Sequence, residues 1–507
     1  MMNLCAGLAF HARRTPDKTA IVYEGQKISF AGLHERVMSM AAKLRAMGIQ
    51  EGDVVALFMK NSPAYIEISF AASAIGAVFL PINFRLAAPE AEFILQDSGA
   101  KLLFVDDEFP TVVALSINKV VMTAATQADT RNIPLPSGAA ISQPVEIIVK
   151  KPDDLVRLMY TSGTTSRPKG VMHTYSNLYW KSIDHIIALG LSAKDILLVV
   201  GPLYHVGAYD LPGVAVLEMG GTWVIQREFD PEVVLKAIDD YQITCGWMAP
   251  VMVSRILSTP DVEKRFDLSS FKWVIAGGEK TPETRIRDFS RVFKQGRFID
   301  AFGMTETCSA DTMMEPGMEI QKIGSTGRAL AHVEIKIMDG EGKELPPNTN
   351  GEICIRGPKV TKGYWNAPEK TAESFWGDWL RSGDIGYLDE EGFLYLTDRA
   401  KDMILTGAEN VASSEVEAVI YKMPQVAEVA VIGLPDDKWG ERVVAVVVPH
   451  AGQSLTLEEV ETHCRQHLAG FKVPREIRVT EALPRNPSGK VLKRVLRDDY
   501  KDKHSIK

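Results

Sequence analysis

The sequence predicts an α/β protein: a large multi-lobed N-terminal domain of parallel sheets covered by helices, carrying a small β-rich lobe, followed by a small α+β C-terminal domain. Three observations predict it. In the N-terminal part, short β-branched runs alternate with segments of helical periodicity, which is the pattern of parallel strands joined by crossover helices. Between Gly324 and Tyr395 that alternation gives way to short strand-like runs separated by Gly/Pro turns, the mark of a compact antiparallel lobe. Beyond Asp398 the chain starts again with its own helices and strands. A chain of 507 residues, 46% of them hydrophobic, can build several such cores.

In chain order, Leu33 to Met47 reads as a helix, Val54 to Phe58 as a strand, Ser62 to Ile75 as a helix, Val78 to Pro81 as a strand, Ala88 to Asp97 as a helix and Leu102 to Val105 as a strand. Leu155 to Tyr160, Ile196 to Val200, Thr222 to Ile225, Trp273 to Ala276 and Arg297 to Asp300 continue the strand series. In the C-terminal part, Ser414-Glu-Val-Glu417 has the form of a capping box opening a short helix, and Val426 to Ile432 and Val443 to Val448 read as strands. Thr456-Leu-Glu-Glu459 opens a further helix, whose stripe of Leu457, Val460, Cys464 and Leu468 ends at Gly470. The domains are placed at 1–398 and 399–507, divided at the charged pentad Asp398 to Asp402.

Leu4 to Phe10 is apolar but has no basic segment before it and soon meets His11, Arg13 and Arg14, so a signal peptide is not predicted. The apolar stretch Ala71 to Ile82 is too short to span a bilayer and reads as a buried helix passing into a strand. Peripheral membrane contact and homodimer formation are left open. A formal net charge of −8 argues against a nucleic-acid partner. The five cysteines, Cys5, Cys245, Cys308, Cys354 and Cys464, are scattered with no Cys-x-x-Cys, so neither a disulfide framework nor a zinc site is indicated. A reducing, cytoplasmic setting is expected.

Tyr160 to Gly170 reads Tyr-Thr-Ser-Gly-Thr-Thr-Ser-Arg-Pro-Lys-Gly. The hydroxyls of Thr161, Ser162, Thr164 and Thr165, the backbone freedom of Gly163 and the cations Arg167 and Lys169 share one loop that leaves the end of a strand. That is where open α/β sheets place ligands, and phosphate is the guest this chemistry suits. A P-loop is excluded, because it ends in Gly-Lys-Ser/Thr, whereas here Lys169 precedes Gly170 and Val171 follows.

With that loop, the motifs Pro202-Leu-Tyr-His205, Ala276-Gly-Gly-Glu279, Ala301-Phe-Gly-Met-Thr-Glu306, Ser382-Gly-Asp384, Asp398-Arg-Ala-Lys-Asp402, Gly407-Ala-Glu-Asn410 and Pro484-Arg-Asn-Pro-Ser-Gly-Lys490 occur in an order and spacing that resemble the adenylate-forming enzymes. The resemblance runs from about residue 10 to 500, and within that superfamily it is nearest the acyl- and aryl-CoA synthetases. It implies a carboxylic acid substrate, with ATP, Mg2+ and coenzyme A. The Thr161 to Lys169 loop would wrap the β- and γ-phosphates. By resemblance Thr305 contacts the α-phosphate or the acyl-adenylate, and Glu306 binds the magnesium ion. Gly277, Gly278 and Glu279 would line the adenine slot with Asp300, Ala301, Phe302 and the turn glycine Gly303. Asp384 would hold the ribose hydroxyls, assisted by Arg399.

The resemblance gives Lys490 the bridge between the acid's carboxylate and the α-phosphate, where it neutralises developing charge. It also implies a mobile C-terminal domain that rotates about Lys401, withdrawing Lys490 and presenting Gly407 to Asn410 at the pantetheine tunnel. Gly407, Ala408 and Glu409 stand on that loop; the usual Gly-Gly is here Gly-Ala, one methyl narrower. Arg85, Trp439, Phe471 and Lys472 resemble contacts to the nucleotide of coenzyme A. His205 stands at the gate near the carboxylate, and Val206, Gly207, Ala208, Trp247 and Met304, with Ala249, Gly277 and Met314, form an apolar pocket. Gly207 is expected to leave room there. The pocket suits a medium- or long-chain fatty acid or a phenylpropenoate. Val206 falls where amino-acid-activating relatives carry an ammonium-binding Asp, and Arg255 and Lys280 are the basic residues to weigh for a dicarboxylate. Two alternatives stand beside an acid–CoA ligase: an adenylating enzyme with a carrier-protein or oxygenase-type acceptor reaction, and an inactive binding relative, which intact Lys490, Glu306 and Asp384 disfavour.

Overall fold

Continuous apolar runs can be buried on both faces only inside a sheet covered by helices, and three of them, Val54–Phe58, Val78–Pro81 and Leu102–Asp106, are strands with every residue buried. The computed structural model describes residues 2–141, 144–161, 168–277, 283–399, 402–406, 409–436, 439–485 and 491–501. The three strands belong to a six-stranded sheet in the order Lys119–Met122, Leu102–Asp106, Val54–Phe58, Val78–Pro81, Leu155–Thr161, Lys169–Thr174. All pairs are parallel except the last, an antiparallel hairpin. Its core sets Ala56, Phe58, Leu80, Leu103 and Leu158 against Ala91, Ile94 and Leu95 of the helix Ala88–Ser98.

A nine-stranded sheet runs Arg328–Ala329, Ser309–Met313, Arg297–Met304, Trp273–Gly277, Cys245–Trp247, Ile196–Val199, Thr222–Ile225, Thr19–Tyr23, Gln26–Ser29. It is parallel from Arg297–Met304 to Thr19–Tyr23 and antiparallel at its edges. The helix expected from Leu33 begins at Phe30, because Ser29 accepts the Gly32 amide and caps it. The helix Pro63–Ala74 is buried on every side, so it has no polar stripe. Among the described residues no helix is long and apolar enough to cross a membrane.

The chain divides into two compact units, Met1–Glu334 with Ile355–Leu380, and Ile335–Cys354 with Arg381–Lys507. This division falls upstream of the expected 398/399 boundary. The reason is a hairpin: Trp379–Leu388 pairs antiparallel with Leu394–Arg399, Asp384 opposite Arg399 and Leu388 opposite Leu394. Residues 335–354 join them through an Arg381–Glu352 ion pair of 2.9 Å and a Thr397–Asn350 hydrogen bond of 2.6 Å. The β-rich stretch expected as one lobe is therefore shared between the units.

The rest of the second unit is a sheet ordered Glu409–Val411, Ile404–Thr406, Gly440–Pro449, Val426–Asp436, with Glu476–Val479 parallel to Gly440–Pro449. Val416 and Ile420 of the helix Ser413–Ile420 and Val460 and Cys464 of Leu457–Arg465 pack with Val431 and Val443. Leu496 of the helix Lys493–Lys501 packs with Ile432 and Val444. Two local expectations do not hold. Ser414 and Glu417 do not form a capping box: Ala412 is the N-cap, the Ser414 hydroxyl donates to the Thr397 carbonyl, and Glu417 accepts the Val431 amide at 2.7 Å. Thr456 and Glu459 do form one, but their helix ends at Arg465 and Gly470 opens a separate 3-10 turn.

Candidate active site

The hydroxyl-rich loop is the connection of a hairpin. Leu155–Thr161 and Lys169–Thr174 pair with Tyr160 opposite Gly170 and Thr161 opposite Lys169. Ser162, Gly163, Thr164, Thr165 and Arg167 lie outside the described residues, and Thr161 and Lys169 are the anchors on either side of them. Gly170 is held to glycine by close packing: an added Cβ would lie 2.9 Å from the Tyr160 ring and 3.2 Å from Cβ of Trp365.

Thr305 and Glu306 sit on a 3-10 turn, Thr305–Thr307, at the end of the strand Arg297–Met304. Cys308 (φ 58°) and Ser309 (φ 118°) then turn the chain back through left-handed backbone that side chains rarely adopt. The strain is held by surrounding bonds. Thr307 Oγ1 donates to Asp311 at 2.5 Å, and Asp311 pairs with Lys359 at 2.7 Å with both side chains fully buried. The Thr305 carbonyl meets His173 Nε2 at 2.7 Å, and the Glu306 carbonyl accepts the Thr361 amide at 2.7 Å.

The segment that supplies Thr361 also laces the turn to the hairpin. Thr361 Oγ1 donates to the Met172 carbonyl at 2.7 Å, and the Trp365 amide donates to the Gly170 carbonyl at 2.7 Å. Between them, Tyr364 donates its hydroxyl to Glu306 Oε1 at 2.9 Å, and Lys169 Nζ lies over its ring at 5.4 Å. Burial and the Glu306 carboxylate push the Tyr364 phenol up, so it stays a donor. Burial lowers the Lys169 pKa, Lys370 adds to that, and Glu306 opposes it. Tyr364 is absent from the sequence-based list, since nothing local connects position 364 with 306.

No group of three or more His, Cys, Asp or Glu that could hold a metal occurs among the described residues. Glu306 is a nearly buried carboxylate on a braced turn. One carboxylate fits magnesium, which keeps water and takes phosphate oxygens for the rest of its shell. Of the residues expected at the adenine, Gly277 lies opposite Ala301 in the sheet, and Asp300, Ala301 and Phe302 are buried. Gly303 allows the returning strand to pass, since a Cβ there would meet the Ser309 carbonyl. Gly278, Glu279 and Lys280 lie outside the described residues.

The expected acid pocket is built on a short helix, Val206–Tyr209, whose N-cap is His205; its Nδ1 accepts the Gly207 amide at 3.0 Å. The His205 ring stacks on Trp247, with centroids 5.7 Å apart and planes 28° apart. A Cβ on Gly207 would lie 2.4 Å from the Trp247 indole, and one on Gly201 would lie 2.5 Å from it. The room expected at Gly207 is therefore not open: the indole fills the slot between the two glycines. Val206 and Ala208 are buried and Met304 half-buried. Arg255 is engaged elsewhere, over the Phe229 ring at 5.0 Å.

In the second unit Asp384 lies opposite Arg399, and its amide donates to Ser382 Oγ at 3.0 Å. Trp439 carries the Arg475 guanidinium over its ring at 4.5 Å, a cation missing from the sequence-based list. Lys472 lies over Phe471 at 5.8 Å and pairs with Glu415 at 2.7 Å. In the first unit the exposed Arg85 lies over Phe84 at 5.6 Å. Lys401, Gly407, Ala408 and Lys490 lie outside the described residues, and Arg399 and Glu409 are described by their backbone alone.

Two family models match the chain: AMP-binding enzyme over residues 8–365 and AMP-binding enzyme C-terminal domain over residues 415–490. The chain is 38% identical over 484 residues to a feruloyl-CoA synthase of Amycolatopsis sp, covering 95% of this chain and 96% of that one. It is 36% identical over 479 residues to the long-chain-fatty-acid–CoA ligase FadD13 of Mycobacterium tuberculosis, covering 94% and 93%. Among solved structures it is similar to the o-succinylbenzoate CoA synthetase MenE of Bacillus subtilis in complex with its acyl-adenylate intermediate, with a TM-score of 0.87, 31% identity and 98% of each chain covered.

Proposed function

This chain belongs to the AMP-binding enzyme family and is an AMP-forming acid–CoA ligase, and we propose that its acid is hydrophobic and flat, an aryl or phenylpropenoic acid in preference to a long fatty chain. It joins the acid to ATP as acyl-AMP with release of pyrophosphate, then transfers the acyl group to coenzyme A with release of AMP. The observation that carries the acid preference is the stacked pair His205–Trp247, whose indole fills the slot between Gly201 and Gly207 and offers a planar wall.

In this reading Thr161, Ser162, Gly163, Thr164, Thr165 and Lys169 hold the β- and γ-phosphates. Thr305 meets the α-phosphate. Glu306, braced by Tyr364, holds the magnesium ion, which when bound offsets phosphate charge. Gly277, Gly278 and Glu279 with Asp300 to Gly303 flank the adenine, and Asp384 with Arg399 takes the ribose hydroxyls. A carboxylate oxygen attacks the α-phosphorus in line with departing pyrophosphate, and Lys490 has the role of offsetting the negative charge of the two groups. The CoA thiolate then attacks the acyl carbonyl and the bond to AMP breaks. Residues 399–507 turn about Lys401 between the two steps, exchanging Lys490 for Gly407, Ala408 and Glu409. Arg85, Trp439, Phe471 and Lys472 take the CoA nucleotide, and Glu415 must yield Lys472 to it. The reducing cytoplasm suits five cysteines that are all buried and free.

A panel of ferulate, 4-coumarate, octanoate and palmitate, each scored for pyrophosphate release with and without CoA, tests the proposal. Release favouring the two aryl acids, with AMP formed in turnover only when CoA is present, is expected. Preference for palmitate would overturn the acid assignment, and turnover without CoA would overturn the acceptor.

A further inference from the structure

A buried polar chain that none of the above roles uses runs beneath the Thr305 turn. Arg157 and His173 face each other across the hairpin, and Arg157 Nε donates to His173 Nδ1 at 2.9 Å. A guanidinium can only donate, so Nδ1 is an acceptor and the ring proton resides on Nε2. That Nε2–H points at the Thr305 carbonyl, 2.7 Å away. Burial, and then the Arg157 charge, hold the His173 pKa well below its ordinary value, so the ring stays neutral and keeps this single tautomer.

The other end of the chain reaches the acid-binding segment. Arg157 meets the Asp210 carboxylate at 2.8 Å with both side chains fully buried, and Lys181 lies 3.6 Å from the same carboxylate. Asp210 directly follows the helix Val206–Tyr209. A second histidine arrives from the far side of the turn: His185 Nδ1 lies 3.0 Å from the Asp210 carbonyl, and its Nε2 lies 3.4 Å from Ser309 Oγ. The strained turn from Thr305 to Ser309 is thus gripped at both ends by histidines that lead to one residue. Fully buried ionic groups of this kind rarely improve stability over apolar packing, so stability alone does not account for them.

We propose that His173, Arg157, His185 and Asp210 are positioning residues that hold the turn carrying Thr305 and Glu306 in register with His205 to Asp210, so that the adenylate-binding turn and the acid-binding segment act as one rigid part. The proposal rests on the acid–CoA ligase reading, and it adds a cause for the geometry that reading needs. His173 is the informative member, because two isopolar replacements separate its bonds. Glutamine can place an N–H where Nε2 stands, whereas asparagine is too short to reach Thr305.

The experiment compares wild type, His173→Gln and His173→Asn in acyl-AMP formation, with Asp210→Asn as a second point in the chain and thermal unfolding run on all four. For His173→Asn, kcat should fall about tenfold, the net worth of one short hydrogen bond, with the KM for ATP changed by less than about twofold. His173→Gln should recover most of that loss, and Asp210→Asn should resemble His173→Asn. In 15N-histidine spectra of the wild type, with His173→Gln for assignment, His173 should be the Nε2–H tautomer. Equal kcat for the Gln and Asn variants, or an Nδ1–H tautomer, would overturn the proposal while leaving the ligase reading intact. A wild type that forms no acyl-AMP with any acid of the panel would overturn both.

Discussion

The Trp247 indole fills the slot that a Cβ on Gly201 or Gly207, six positions apart, would enter, and the proposed acid preference rests on that packing. Gly207→Ala places a methyl 2.4 Å from the ring, so the indole must shift, at a cost of about 1–3 kcal/mol in stability. Trp247→Leu removes the obstacle at its own cost. The double variant should therefore be more stable than the two single effects added, by about 1 kcal/mol or more, in chemical denaturation. Additive effects would mean that the indole does not occupy the Gly207 slot. Tyr364 allows a second prediction. Tyr364→Phe removes one hydrogen bond to the Glu306 carboxylate, and bonds to charged groups contribute about 1.5–3 kcal/mol. Acyl-AMP formation should fall about ten- to hundredfold and need more magnesium for half-maximal rate; an unchanged magnesium titration would show that Tyr364 does not brace Glu306.

Among the elements, what the sequence made legible was what one segment decides by itself. Val54–Phe58, Val78–Pro81 and Thr222–Ile225 have the expected bounds because an apolar β-branched run has one stable use, the inside of a sheet. Thr456 was legible as a cap because its partner is three residues away. Ser414 had the same local signature, yet its hydroxyl is taken by Thr397, 17 positions upstream, and no local pattern reports that competition. Tyr364, Arg475 and the Arg157–His173–Asp210 chain were illegible for the same reason: each is defined by a partner brought near by folding. The two serine/threonine sites can be told apart. Thr456→Ala should cost about 1 kcal/mol and speed amide exchange in the first turn of Leu457–Arg465. Ser414→Ala should leave the first-turn amides of Ser413–Ile420 protected as before, since it caps nothing; faster exchange there would restore the capping-box assignment.

For the whole molecule, the proposed reaction assigns its two half-reactions to different faces of residues 399–507. Lys490→Ala should nearly abolish acyl-AMP formation and spare thioester formation from supplied acyl-AMP. Lys401→Pro fixes the hinge φ and should do the reverse, since it hampers rotation and leaves the first chemistry alone. Rapid-quench measurement of each half-reaction decides the pair, and equal losses in both steps for both variants would refute the division of labour. Activation of the acid by attack on the α-phosphorus has a more direct test. The acid labelled with 18O in both carboxylate positions should be turned over with ATP, magnesium and CoA, and the products weighed by mass spectrometry. One 18O is expected in the AMP and none in the pyrophosphate, because the carboxylate oxygen that attacks the α-phosphorus leaves with AMP when the thiol takes the acyl group. Label in phosphate or pyrophosphate, or unlabelled AMP beside labelled acyl-CoA, would contradict it.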